Sequence, residues 1–239
     1  MKSTLLAASA IISGLLAVGC SPQASAPAET PAPAPAAEAP PPAPDVSQLP
    51  AGAYKTDPSH STLVFHVNHL GFSNYTASFS KFTIDLQLDP AAPEKATVAA
   101  TIDLASLTLP NPPAGFVDEL LNPTWLDKAT TPQLTFKSTS VTKTGPATAD
   151  ITGDFTLKGI TKPVTLQATF NGGYPGHPQD PNARIGFSVK GSLKRSDFNI
   201  SVGIPVPPST MGVSDEVKFE IETELTGPAL ATPATPPAQ

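Results

Sequence analysis

The chain has 239 residues, a formal net charge of −6, 30 prolines and a single cysteine. Its 14 Lys and Arg residues form no cluster, so the basic patch that nucleic acid or an acidic-lipid surface demands is missing. One cysteine excludes a disulfide within the chain, and the fold must stand on its core alone.

In chain order, Met1-Lys2 is a short positive start and Leu5 to Val18 an apolar run broken only by small residues. The run is shorter than the roughly 20 residues that span a bilayer, so residues 1–19 are predicted to be a secretion signal. It leads into Leu15-Leu16-Ala17-Val18-Gly19-Cys20, which resembles a bacterial lipobox. That resemblance implies cleavage before Cys20 and a diacylglyceryl group on its sulfur. The competing expectation is an ordinary signal cut after Ala24-Ser25-Ala26 and a soluble product. Ser21 stands where an inner-membrane retention aspartate would, which by analogy points to a periplasmic lipoprotein of the outer membrane. Residues 20–52 then read as a Pro/Ala-rich disordered tether, and residues 228–239 as an uncharged Pro-rich tail of the same kind.

Residues 53–227 are predicted to form one domain, all β. Val217, Phe219, Ile221, Thr223 and Leu225 share one parity against Lys218, Glu220, Glu222 and Glu224, the pattern of a strand with one buried face. The same alternation runs through Val98–Leu104, Ile151–Leu157, Val164–Phe170 and Ile185–Leu193, with weaker versions at Leu63–Val67 and Leu134–Phe136. One segment breaks step: Tyr75, Ala77 and Phe79 have one parity, Phe82, Ile84, Leu86 and Leu88 the other. A bulge or bend at Ser80-Lys81 is predicted there, and Gly153, Gly191 and Gly203 are expected at bends. Hairpin turns are expected at Gly145-Pro146, Lys158-Gly159 and Gly172-Gly173. About eight such strands hide their apolar faces in a sandwich or a closed barrel, and short turns suit an up-and-down order. The one long connection, Leu109 to Thr131, carries a short helical pattern at Phe116–Leu121 and then Trp125-Leu126, the makings of a plug across one end.

No catalytic constellation is present in the sequence: no nucleophile elbow, no phosphate-cradling glycine loop, and no free thiol if Cys20 is acylated. Metal ligation is not expected either. His66 and His69 leave opposite faces of a strand, and His60 and His66 are about 20 Å apart along it. His69 has the inward parity of Phe65 and Val67, either as a satisfied core residue or as a polar contact for a ligand headgroup. Arg195 and Asp197 are expected to bridge and close a barrel end.

Several of these segments together resemble the YceI-like family: Asp57-Pro58-Ser59-His60-Ser61, Phe65-His66-Val67-Asn68-His69-Leu70-Gly71-Phe72, Pro132–Ser138, Thr152–Val164, Arg195-Ser196-Asp197-Phe198 and Asp215-Glu216-Val217. The resemblance implies a lipocalin-like antiparallel barrel that carries a polyisoprenoid, isoprenoid quinone, fatty amide or similar lipid without catalysis and without a resident cofactor. Carried over, Phe65, Val67, Phe79, Phe82, Ile102, Phe136, Phe155, Leu166, Phe170 and Phe187 become tunnel-lining residues, with His69, Trp125 and Arg195 as rim or headgroup contacts. The partners implied are a hydrophobic small molecule and, through Cys20, the membrane. Two features depart from the family: the plug run Phe116-Val117-Asp118-Glu119-Leu120 lacks the Arg and His common there, and Asn199 with the Pro-rich Ile204–Met211 segment alters the opposite rim. Parity alone leaves a filled core open, with the barrel then serving as an envelope interaction module.

Overall fold

The computed structural model describes residues 45–230. The predicted signal, Cys20 and most of the tether and tail lie outside the described residues. Strands β1 (Gly52–His69), β2 (Ser73–Phe79), β3 (Phe82–Leu88), β4 (Thr97–Asp103), β5 (Leu107–Thr108), β6 (Gln133–Lys143), β7 (Thr148–Leu157), β8 (Ile160–Tyr174), β9 (Asn182–Lys194) and β10 (Val213–Ala229) form one antiparallel sheet. The single α-helix among the described residues, α1 (Phe116–Leu121), lies between β5 and β6. The ladder runs β1-β3-β4-β6-β7-β8-β9-β10, with β2 on the other half of β1 and the short β5 on β2, and β10 pairs back to β1, so the sheet closes into an up-and-down barrel. β2 and β3 act as one bent stave, β2 on the second half of β1 and β3 on the first, which gives eight staves.

The break between β2 and β3 falls at Ser80-Lys81, as the parity switch predicts. Backbone N–H groups that leave the ladder there are taken up by Ser106: Ser80 N donates to its carbonyl at 3.1 Å and Lys81 N to its hydroxyl at 3.0 Å. β1 has a matching irregularity. It takes five steps from Thr56 to Ser61 while β10 takes two, from Leu225 to Thr223. Asp57-Pro58-Ser59-His60 stand opposite Glu224 alone, a surplus of three, so this motif is a bulge, and Pro58 sits where no ladder donor is needed. The bulge changes the inward parity of β1 from Tyr54 to Leu63, allowing one strand to face the core at both ends. Asp57 holds it together: its carboxylate accepts from Ser59 N at 2.9 Å, from His60 Nδ1 at 3.1 Å and from Arg184. The His60, Arg184 and Ser59 hydrogen bonds, in that order, pull the Asp57 carboxyl down to about 2.

The turns at 144–147 and Lys158-Gly159 form as expected; Lys158 and Gly159 both have positive φ, 53° and 70°, as a tight hairpin turn requires. Gly172-Gly173 is not a turn. It lies inside β8 at a register shift, where Gly172 has φ 137° and a side chain on Gly173 would lie 2.4 Å from the Arg184 carbonyl. The β8–β9 turn comes later, at 175–181. Gly153 and Gly191 have a role beyond bending. An added Cβ at Gly191 would be 2.4 Å from the Phe219 ring, and at Gly153 2.4 Å from the Phe136 ring and 2.5 Å from the Lys137 carbonyl. Each glycine lets an aromatic ring on the neighbouring strand lie flat on the barrel wall.

The tether expected to reach residue 52 ends sooner. A 3-10 turn at Val46–Gln48 delivers Leu49 onto β8, and Tyr54, fully buried, donates its hydroxyl to the Pro50 carbonyl at 2.6 Å. Leu49, Tyr54, Leu88, Phe170, Ala183, Ile185 and Leu225 fill this end of the barrel as a solid floor.

Because the Asp57 carboxyl is held below its ordinary value, it adds stability that is complete above about pH 4 and lost as pH falls toward 2. Asp57→Asn is expected to lower the melting temperature at pH 7 by roughly 5 °C and to flatten the loss between pH 4 and 2; an unchanged acid limb would refute this role. Gly153→Ala should destabilise by about 1–3 kcal/mol in denaturant titration, since the Lys137 backbone cannot move aside as a side-chain tip would.

Candidate functional site

Above the floor the barrel is hollow. A cavity of about 620 Å³ is walled by residues from every stave, among them Leu63, Phe65, Val67, Ala77, Ile84, Val98, Ala100, Phe136, Val164, Ala168, Val189 and Ile221. The interior is therefore not a filled core, which removes the premise of the filled-barrel interaction module. Alternation explains the lining, since period two aims every second side chain inward. The residual space follows from Ala77, Ala100 and Ala168 facing in, and from rings seated on Gly153 and Gly191 instead of reaching across the axis.

Of the residues expected on the wall, Phe65, Val67, Phe79, Ile102, Phe136, Phe155, Leu166 and Phe187 lie on it. Phe82 and Phe170 do not. Phe170 is buried in the floor, tilted against Phe187 at 5.8 Å between centroids, and Phe82 follows the β2–β3 bend into the packing between floor and wall. Because Ile84, Leu86 and Leu225 belong both to the lining and to the floor cluster, the cavity ends blindly there; the expected tunnel is a cup.

The other end is the mouth. The connection from β5 to β6 crosses it, with α1 packing Val117 and Leu120 on the core and burying Leu121. Trp125 and Leu126 follow inward, and Lys158 clamps the segment by donating to the Pro123 carbonyl at 2.9 Å. Trp125 Nε1 donates to Glu119 at 3.3 Å. Leu109, Pro110, Asn111, Pro112, Pro113 and Phe116 line the cavity from this loop. Sequence reading missed them because loop residues carry no parity, although Tyr75 and Ala77, also on the wall, share the parity of Phe79.

Polar groups are few and lie mainly near the mouth. His69 faces the cavity and is exposed; Arg195, 5 % exposed, and half-buried Trp125 also line it. Arg195 does not bridge to Asp197, which is exposed. Its guanidinium donates to four carbonyls: Nε to Ser214 at 2.8 Å, Nη1 to Val202 at 2.7 Å and Ile200 at 3.2 Å, and Nη2 to Val213 at 2.7 Å. Trp125 covers it, the ring centroid 5.6 Å from Cζ. Burial pushes the Arg195 guanidinium down from its ordinary value, partly offset by Asp215, whose carboxylate accepts from Ser196 N and Oγ, each at 2.8 Å. Arg195 thus ties the 200–214 rim into place and sets a positive charge just below the opening. Asn199 adopts the left-handed conformation, φ 59°, at the point where the rim turns away.

The other three histidines are dispersed over hydrogen bonds of their own. His60 bonds Asp57, His66 Nδ1 lies 2.8 Å from Thr76 Oγ1, and His177 pairs with Gln179. Among the described residues no three His, Cys, Asp or Glu side chains are grouped to hold a metal.

An antiparallel barrel of this kind is shared with known proteins. Curated relatives include a UPF0312 protein of Pseudomonas putida strain F1, 36% identical over 157 residues, covering 64% of this chain and 79% of that one. A UPF0312 protein of Pseudomonas fluorescens SBW25 is 35% identical over 178 residues, 72% and 88% of the two chains. Among solved structures, Burkholderia cenocepacia BcnA superimposes with TM-score 0.58 at 27% identity, over 71% of this chain and 98% of its own. The Campylobacter jejuni YCEI protein gives 0.56 at 27% identity, over 67% and 90%. A polyisoprenoid binding domain from Saccharophagus degradans gives 0.51 at 12% identity over 75% and 100%, a likeness of fold. The YceI-like domain matches residues 54–225, nearly the whole barrel, and the chain belongs to the YceI-like family.

Proposed function

We propose that this protein is a carrier that holds one long apolar amphiphile, of the polyisoprenoid, isoprenoid quinone or fatty amide kind, with its tail toward the floor and its head at the mouth. The observation that carries this reading is the blind apolar cup of about 620 Å³ with its polar groups gathered mainly at the rim. A tail of some fifteen methylenes taken from water gains roughly 12 kcal/mol, enough for micromolar or tighter binding after the loss of translational freedom. In this reading Arg195, His69 and Trp125, which line the cavity near its mouth, meet an electronegative head. The polyisoprenoid binding domain from Saccharophagus degradans lends support as an instance of the same fold put to that use. Binding needs no chemical step, and none of the residues facing the cup forms a nucleophile–base pair. In this reading Cys20 is acylated and the barrel works in the periplasm at the outer membrane.

Ala100 and Ala168 both face the cup. After removal of lipid, Ala100→Leu or Ala168→Leu should leave the melting temperature within about 2 °C of the parent, since added methyls enter free space. Native mass spectrometry of the protein as purified should show the parent with a bound lipid of one class and the variants depleted of it. A parent that carries and takes up no lipid would overturn the carrier reading.

For the anchor, intact-mass measurement should find the acyl groups on the membrane-fraction protein and none on Cys20→Ala. Equal masses and equal membrane fractionation would reject acylation at Cys20.

A further inference from the structure

The mouth is built unlike the rest of the surface. Phe72 at the β1–β2 tip is 78% exposed, and Val206 and Met211 in the loop before β10 are 79% and 65% exposed. Val202 and Phe116 add smaller exposed areas, and Phe116 also lines the cup. The two tips form one rim: Leu70 N donates to the Gly212 carbonyl at 2.8 Å, and Thr210 stands within 2.9 Å of where a side chain on Gly71 would begin. The three segments on this side, 67–80, 104–117 and 198–214, contain no Asp, Glu, Lys or Arg. Charge at this end lies outside these segments: Lys81, Asp103, Asp118, Asp197 and Asp215 bound them, Arg195 is buried behind Trp125, and Glu119, Asp127, Lys128 and Lys158 belong to the plug and the β7–β8 turn. Pro110, Pro112, Pro113, Pro205, Pro207 and Pro208 also populate these segments, and proline has no N–H to strip of water.

We infer that this uncharged rim is a membrane-docking face: it seats in the headgroup–acyl boundary of a phospholipid bilayer and opens the cup directly onto the lipid. The inference rests on the carrier reading and adds the route of entry. A solvent route would expose the tail at about 0.8 kcal/mol per methylene, whereas a mouth whose lip is apolar on the same side as its lining offers a continuous path. A bilayer suits this rim better than an acidic or basic protein partner, because the face has no charge to complement. With no Lys or Arg in the three segments, the docking should be as good on neutral as on anionic vesicles and insensitive to salt. The chain also permits the orientation. Residue 45 lies at the floor end, and the 25 steps from Cys20 to Asp45, extended at about 3.1 Å each, reach roughly 75 Å. The 18 residues of β1 span at most about 60 Å, so an anchored barrel has slack to turn mouth-down.

The test uses the full chain reconstituted with phosphatidylcholine vesicles whose acyl chains carry bromine at a known depth. Fluorescence of Phe72→Trp and Val206→Trp, above the Trp125 background of the parent, should be quenched at least twofold, and that of Tyr174→Trp at the floor end should not. Equal quenching of mouth and floor reporters, or none, overturns the docking face; a protein partner would then be the occupant to seek. Separately, Phe72→Asp combined with Val206→Asp and Met211→Asp should slow uptake of a dansyl-tagged geranylgeraniol from vesicles about tenfold, while its equilibrium affinity in detergent solution stays at the parental value. Unslowed uptake with intact affinity sinks the docking face and leaves the carrier standing. A parent that fails to bind the probe and carries no lipid as purified sinks the carrier itself.

Discussion

Everything in this molecule depends on the seam between β1 and β10. A sheet with two free edges would expose unpaired N–H and C=O groups and leave its apolar face half covered, whereas closure removes both edges together. The seam closes only because β1 is longer than its partner stretch. Three surplus residues, held as a bulge by Asp57 and its donors, bend the strand and reset which side chains face in. Without that reset either Tyr54 or the series from Leu63 to Val67 would point to water. The bend at Ser80-Lys81 answers it on the neighbouring stave, and Ser106 supplies the hydrogen bonds that both interrupted strands would otherwise lack.

Closure of eight staves leaves an interior just wide enough to be filled or to hold a guest, and small choices decide which. At one end large side chains pack shut, with Tyr54 and Phe170 at the centre and Leu49 brought in from before the first strand. Along the shaft, inward alanines and rings laid over glycines keep the axis clear. At the other end the plug is held at its borders, by Lys158 on one flank and Trp125 against Arg195 on the other. The buried guanidinium is satisfied by backbone carbonyls alone, so it shapes the rim and retains its charge beside the opening.

Much of this was legible in the residues. Period-two alternation located the barrel strands and the break at Ser80-Lys81, because a pleated strand leaves its signature in every second side chain. Conformation without periodicity was harder to read. Gly172-Gly173 looks like a turn, and nothing local distinguishes it from a bulge; the close approach of Arg184 does so only in three dimensions. Arg195 and Asp197 lie two apart and invite a bridge, but the 3-10 turn they occupy sends the guanidinium inward and the carboxylate out. Parity placed Phe170 and Phe82 on the inner surface, yet how far up the barrel axis each stands depends on strand stagger, which no single strand encodes. Asp57 was recognisable as important, and its partner Arg184, 127 residues away, was not.

The solid floor also fixes the order of events for any guest. With one opening, tail and head pass the same threshold, and the tail must enter first and leave last. Two guests cannot pass each other in the shaft, so the old one must depart before a new one arrives. Exchange in such a vessel is governed by the escape rate of the resident molecule, and crowding the outside with competitors cannot hasten it. If the cup carries the amphiphile proposed for it, it is a store with a set release time, where a barrel open at both ends would be a conduit.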